Sequence, residues 1–509
     1  LSQGSNELKQ ISRGAIIASA GLFVSQYLLS PLIGILNTRI LGAHQYGLFS
    51  LASGIIAIFA SFPLMGMHDG LIKFLPSYLS AGEISKVKGL FLFSWRVLSV
   101  GGALFVVLCV LSTRYISTVI YDEPEMQVIL YSVAIVILLN NYQYLFASLF
   151  ASLRDITRRT LIKYIYPNVT KLIVLIAVFF LDAGLPGVIA AVLASALMQV
   201  LMGVVYSRRL FPTLYDREVP ANFSAPDKKA FMSFSLPLYM TLFVDILFQQ
   251  TDGLMIGYFS DAKHVGIYEV AFRVTPFVLF PMGGMSQVFQ PILSESFATG
   301  QLHKVGELYR SVTKIVTTLT VPILISILTF AEELLSIFGP EFRQGASCLM
   351  ILSVGFFVQA ATGHTTALIV LSGRPRWLLI NNTAAMVVNI LLNYILIQKY
   401  NIVGAALATA ISISLSNLVQ LTMVYRLFGF HPYTVSYWKI ILAAAAGAFV
   451  FVGLKSAQVT SPLAFLVFIF IGISIYFFLL WKIGLDEQEK MLVQAFQRKL
   501  KSLVGMRGQ

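Results

Sequence analysis

Charge is what this chain has least of. Only 12% of its 509 residues are Asp, Glu, Lys or Arg, while 57% are hydrophobic, and the mean hydropathy is +0.80. A soluble globule of this size could not cover its surface with so few polar groups, so the composition predicts a polytopic membrane protein. Cysteine is equally scarce. Cys109 and Cys348 fall within or at the edge of apolar runs, without ligand company, which excludes a disulfide framework and a thiolate metal site. Catalytic apparatus is missing too: the sequence holds no Walker A loop, no HExxH, no GxSxG in a strand-turn-helix setting and no paired carboxylates in a large outer loop. ATP-driven transport and extracytoplasmic glycosyl transfer need such parts, so the chain reads as a non-enzyme without cofactor or metal.

What is present is a series of apolar runs, each near the ~20 residues needed to cross a bilayer as a helix. About fourteen fall at 14–40, 45–67, 87–112, 126–152, 160–181, 185–207, 231–258, 264–290, 305–330, 346–372, 376–398, 402–427, 435–455 and 461–482. The first is too long for a signal peptide and reads as a span. With the N-terminus inside, the inner loops collect Lys86, Lys88, Arg154, Arg158, Arg159, Lys163, Arg208, Arg209, Lys304, Arg310, Lys314, Arg374, Arg376 and Arg426. The outer loops hold mostly acid, such as Asp122, Glu123, Asp182, Asp261 and Glu332. This asymmetry predicts a multi-pass protein of the cell membrane with both termini cytoplasmic. The net charge of +13 therefore reports topology and an anionic inner leaflet as partner, not nucleic acid.

The chain is also written twice. Gly187 to Phe211 aligns without a gap on Gly404 to Phe428, both ending in Arg-Leu-Phe; Gly47 aligns on Gly266, and Lys86-Val87 on Lys304-Val305, at offsets of 217 to 219. Two similar membrane halves are a device of alternating-access transporters. The repeat predicts an all-α architecture of two pseudo-symmetric six-helix bundles, 1–207 and 231–428, joined by a proline-bearing cytoplasmic linker at 208–230. Two extra helices follow at 429–484, and a tail at 485–509 can lie amphipathically on the membrane surface.

Ionisable side chains within spans cost ~2.5–3.5 kcal/mol or more each and usually face a wet cavity or a partner. In the first half these are mostly cations: Lys171 in the fifth span, Arg96 in the third and Lys73 just after the second. Converging, they would form an anion site for a phosphate head group, with Arg96 able to bind bidentately; the alternative for Arg96 and Lys73 is snorkelling to the interface. The second half carries acid. Asp245 and Asp252 lie seven residues apart on one span, and Glu269 and Arg273 are at i and i+4 on the next. Two readings stand: an Asp252–Arg273 ion pair between helices, or a proton or cation site at Asp252 or Asp245. Asn382, Asn389 and Asn393 form a polar stripe suited to sugar hydroxyls or to interhelical hydrogen bonds, and Asn140, Asn141 and Gln143 form a shorter cluster. His364 reads as a packed donor between helices.

Two segments carry a wider resemblance: Arg39-Ile-Leu-Gly-Ala-His-Gln-Tyr-Gly-Leu-Phe-Ser-Leu-Ala, and Thr251-Asp-Gly-Leu-Met-Ile-Gly-Tyr-Phe followed by Val265-Gly-Ile-Tyr-Glu-Val-Ala. With fourteen spans and a break after the sixth, the chain resembles the multidrug/oligosaccharidyl-lipid/polysaccharide exporter superfamily, in its polysaccharide-transport and O-antigen flippase branch. The resemblance implies two bundles that rock between inward- and outward-open states. It implies a polyprenyl-phosphate or diphosphate-linked oligosaccharide as cargo, and glycan polymerases or glycosyltransferases as pathway partners. A related cargo is the alternative: a peptidoglycan lipid precursor, or an organic cation exchanged for H+ or Na+.

Overall fold

The computed structural model describes residues 21–455 and 462–483. The amphipathic tail expected at 485–509 and the start of the first span lie outside the described residues. All described regular structure is helical, as lipid demands of a chain that must satisfy its own backbone groups.

Numbering only helices of eight or more residues, α1 is Ser30–Ser61, α2 Met67–Ser80, α3 Ile84–Tyr115, α4 Met126–Val133, α5 Val136–Ser152, α6 Tyr166–Leu181, α7 Gly184–Leu210, α8 Ala225–Phe259, α9 Ala262–Val274, α10 Phe280–Ala298, α11 Leu302–Thr329, α12 Ala346–Thr362, α13 Pro375–Phe428, α14 Tyr437–Lys455 and α15 Pro462–Ile483. Ten described helical stretches are long and apolar enough to cross a membrane, and the pair α4 and α5, bent by 41°, makes an eleventh. Two helices are broken inside: α1 at Gly42 (φ 68°) and α13 at Asn401 (φ 50°).

Two compact units are distinguished. One runs to Val270 and takes in Asn393–Ala405; the other comprises Ala271–Leu392 and the chain from Ala406 onward. The first is organised around Leu71, Leu90, Phe91, Phe146, Phe150 and Phe231. In the second, Phe289, Tyr309 and Leu368 anchor one cluster. The last two helices pack onto α11 through Val321, Ile440 and Tyr476, and the Tyr476 hydroxyl donates to the Thr318 carbonyl at 3.2 Å.

The repeat is visible in backbone torsions. Left-handed residues recur in pairs: 82 with 300, 122 with 339, 154 with 373 and 182 with 401, offsets of 218, 217, 219 and 219. At the first pair the hydrogen bonding is duplicated as well. Gly82 N donates to Leu79 O, Glu83 N to Tyr78 O and Ile84 N to Gly82 O; Gly300 N donates to Phe297 O, Gln301 N to Ser296 O and Leu302 N to Gly300 O. This is a Schellman-type exit, in which glycine accepts the positive φ without steric cost.

Within the first unit the repeat-related glycines Gly47 and Gly266 meet. A Cβ on Gly47 would occupy the Ala262 carbonyl oxygen, and one on Gly266 would fall on the Ala43 carbonyl and 3.1 Å from Gly47 N. The motif residues of both segments thus serve helix-to-helix contact at the backbone itself.

The linker is tied down. The Lys88 side chain, 8% exposed, donates from Nζ to the carbonyls of Asp216 and, at 2.8 Å, Val219. Asn222 N donates to Ser85 O at 3.0 Å, and Ser224 with Asp227 closes a capping box at the start of α8.

Candidate functional site

The most deeply buried acid of the described spans is Asp252, on α8 and 5% exposed. Its Oδ2 accepts from the Tyr268 hydroxyl of α9 at 2.5 Å and its Oδ1 from Asn393 Nδ2 of α13 at 2.7 Å. Three helices therefore converge on one carboxylate. Burying a carboxylate costs several kcal/mol unless it is hydrogen-bonded, and each such charge-assisted bond returns ~1.5–3 kcal/mol. Glu269 lies beside Asp252: a Cβ on Gly253 would stand 2.8 Å from Glu269 Oε1, so the smallness of Gly253 admits the second carboxylate. Asp245 lies two turns earlier on α8, on an exposed position. Arg273, expected opposite Asp252, falls in the second unit, and its Nε is buried without a hydrogen-bond partner.

The asparagine stripe divides. Asn393 serves Asp252, whereas Asn389 donates to Thr409 Oγ1 at 2.9 Å within the α13 hairpin. Asn381, beside the half-buried Asn382, donates to Ser416 Oγ at 2.7 Å. Asn140 is half-buried; its neighbour Asn141 is fully buried, and neither polar atom of its amide has a hydrogen-bond partner. His364 is buried at the break after α12, with Nε2 2.6 Å from Ser286 Oγ, the packed arrangement expected of it.

The three cations meet different aromatic faces or none. Lys171, half-buried in α6, holds its ammonium 5.7 Å from the centre of the Phe49 ring. Lys73, on an exposed position of α2, sits 3.7 Å from the centre of Phe234. A cation–π contact is worth more where the charge is partly desolvated, as at Lys171, than at the exposed Lys73. Arg96 is exposed on the face of α3 that carries Val100, Val107 and Leu111, all exposed as well.

Charge counting missed a further cluster. Lys163 lies 5.9 Å from the Tyr144 ring centre and 5.3 Å from that of Tyr164. The His68 ring is 5.9 Å from Tyr144 and its Nε2 is 3.2 Å from Asp69, with Lys163 and Arg159 within electrostatic reach. The available signal was that Lys163 falls inside an apolar run, not beyond it. Lys314, also counted as a loop charge, is only 3% exposed within α11.

Residues 36–346, more than half of the chain, match the model of a family described as polysaccharide biosynthesis protein. Among curated relatives, the probable low-salt glycan biosynthesis flippase Agl15 of Haloferax volcanii is 31% identical over 171 residues, 33% of this chain and 36% of the relative. The probable flippase AglR of the same organism is 27% identical over 246 residues, 47% of this chain and 51% of the relative. The alignments thus span about a third to a half of those proteins. Among solved structures, the lipid II flippase MurJ in an inward closed conformation superposes with a TM-score of 0.71 at 16% identity, over 91% of this chain and 98% of that one. An inward-facing multidrug MATE-family transporter gives 0.64 at 17%, over 82% and 98%. At such identities these two define the fold. With the family match they lead to one assignment: the chain belongs to the polysaccharide biosynthesis protein family, built on the fold of the multidrug/oligosaccharidyl-lipid/polysaccharide exporter superfamily.

Proposed function

We propose that this multi-pass membrane protein is a flippase. It carries a polyprenyl-phosphate or diphosphate-linked oligosaccharide from the cytoplasmic to the outer face of the cell membrane by alternating access, and transports without catalysing. The observation that carries the reading is the match to two relatives named as probable flippases, one of glycan biosynthesis, in a chain whose family is polysaccharide biosynthesis. The two repeats, 1–207 and 231–428, are the bundles of this reading, both termini are cytoplasmic, and glycan polymerases or glycosyltransferases are its pathway partners.

Lys171 is the residue best suited to the head-group phosphate, because it is a mid-helix ammonium held against an aromatic ring; Arg96 and Lys73 would assist nearer the cationic end. Asp252 is the coupling group. A buried carboxylate held by two neutral donors can take up a proton or Na+ and give up a donor, which links ion occupancy to the packing of α8, α9 and α13.

The test is translocation by the purified protein in liposomes, using a labelled polyprenyl-diphosphate oligosaccharide scored by its accessibility from outside, with and without a pH or sodium gradient. Protein-dependent appearance of label outside is expected. No translocation, with efflux of an organic cation from the same vesicles, would overturn the reading.

A further inference from the structure

In the second unit the two ends of α13 meet, because the helix doubles back at Asn401. The ladder from Asn389–Thr409 to Asn381–Ser416 continues to a cavity of about 410 Å³ between Arg374, at the N-cap of α13, and Arg426, in its last turn. Trp377, Val419, Met423 and Ile369 form its walls. No acidic residue lines it, and among the described residues no ion pair involves Arg374 or Arg426. Both guanidiniums are exposed, and Trp377 is 49% exposed. Beyond the cavity the same helices present Ile380, Leu415 and Leu418, the first of them 64% exposed.

This is a groove with a doubly cationic head and an apolar body that continues into a lipid-facing surface. Guanidinium forks match phosphate oxygens two at a time. A tryptophan at the edge of an apolar belt sits at head-group level, and basic pockets between helices at the positive end of a membrane protein suit anionic head groups. A soluble anion would use the arginines but leave the apolar wall without purpose. A zwitterionic lipid would bring its own cation against two others.

We propose that this groove is a binding site for an anionic phospholipid of the surrounding membrane. Its phosphate lies between Arg374 and Arg426, and the first methylenes of one acyl chain lie along Val419, Met423 and Ile369. The proposal does not depend on the transported cargo, since a resident lipid binds without cargo or gradient.

The test is a titration of the full chain in detergent with phosphatidylglycerol and phosphatidylcholine of identical acyl chains, followed by native mass spectrometry. Phosphatidylglycerol is expected to bind at least about tenfold more tightly, because phosphatidylcholine brings a quaternary ammonium against the two guanidiniums. The double variant Arg374→Ala/Arg426→Ala should erase that preference, while Arg208→Ala should retain it. Equal binding of the two lipids, or a preference that survives the double variant, overturns the proposal. So does displacement of the bound lipid by millimolar inorganic phosphate, which marks a simple anion site, or by the lipid-linked oligosaccharide alone, which marks a cargo site. Should the double variant fail to fold, acyl-brominated phosphatidylglycerol is added to the protein with both arginines in place. Quenching of intrinsic fluorescence that falls in Trp377→Phe supports the site, and quenching unchanged by that substitution overturns it.

Discussion

Asn393 donates from its side-chain amide to Asp252 Oδ1 at 2.7 Å, joining positions 141 residues apart. With the Tyr268 hydroxyl on the other oxygen, each carboxylate oxygen accepts from a fixed side chain of a neighbouring helix. Removing either donor leaves a buried charge under-solvated. Asn393→Ala and Tyr268→Phe should each lower stability by ~1.5–3 kcal/mol, read as earlier thermal unfolding in detergent. Asp252→Asn keeps the shape and removes the charge, so it should spare folding while abolishing the effect of an ion gradient on translocation. Gradient-driven transport that persists in Asp252→Asn would assign the carboxylate a purely structural role.

Lys171 holds its ammonium 5.7 Å from the centre of the Phe49 ring within an apolar helix, where the proposed reading places the cargo phosphate. Lys171→Ala should abolish translocation of the lipid-linked oligosaccharide without loss of expression, and Lys171→Arg should restore part of it. Arg96→Ala, on a face shared with exposed apolar side chains, is expected to impair translocation as well. Full activity in both alanine variants would remove these two residues from head-group recognition.

The contact of Gly47 with Gly266 leaves no room for a side chain, and the obstacle on each side is backbone, which cannot rotate away. Overpacking of ordinary side chains costs ~1–3 kcal/mol. Gly266→Ala should exceed that range and yield little folded protein, while Gly284→Ala, where a Cβ meets nothing within 4 Å, should express normally. Comparable yields of the two in detergent would contradict the close approach.

Asp261 stands outside the spans as the cap of α9. Burial alone would raise its carboxyl, but the backbone and side chain of His264 and the backbone N–H of Lys263 outweigh that and hold it below the usual carboxylate range. A depressed carboxyl stabilises the fold above its unfolded pKa, near ~3.9, and that contribution disappears as the pH falls through the folded value. Unfolding temperature should therefore drop on acidification below about pH 4 in the wild type, less so in Asp261→Asn. Asp261→Ala should cost ~0.5–2 kcal/mol at neutral pH through loss of the cap.

Much of this was legible in the residues alone, and the boundary is instructive. The repeat, the helical class and the superfamily resemblance rest on patterns along the chain, which hydropathy and spacing record. Asp252 and Asn393 both stood out as polar groups in apolar runs, but their pairing could not be read. Depth counted from a span end fixes height in the membrane and leaves the angle around each helix open. The same blindness misplaced Lys88 and Lys314. Both sit where a loop charge is expected, yet one is folded inward onto linker carbonyls and the other is buried in α11. Lysine at a span end has two destinations, water or a nearby carbonyl, and composition does not choose between them.

The paired left-handed residues bear on how the two halves came to differ. At 82 and 300 both positions are glycine, but at 154 and 373 an arginine answers a glycine, and at 182 and 401 an aspartate answers an asparagine. The repeat has changed its letters at these corners while keeping the sign of φ, although ψ differs at the last pair, 39° at Asp182 and -132° at Asn401. What the two halves share is therefore less a string of amino acids than a series of positions where φ turns positive, with chemistry free to diverge between them: Lys171 stands in a span of one half and Asp252 in a span of the other.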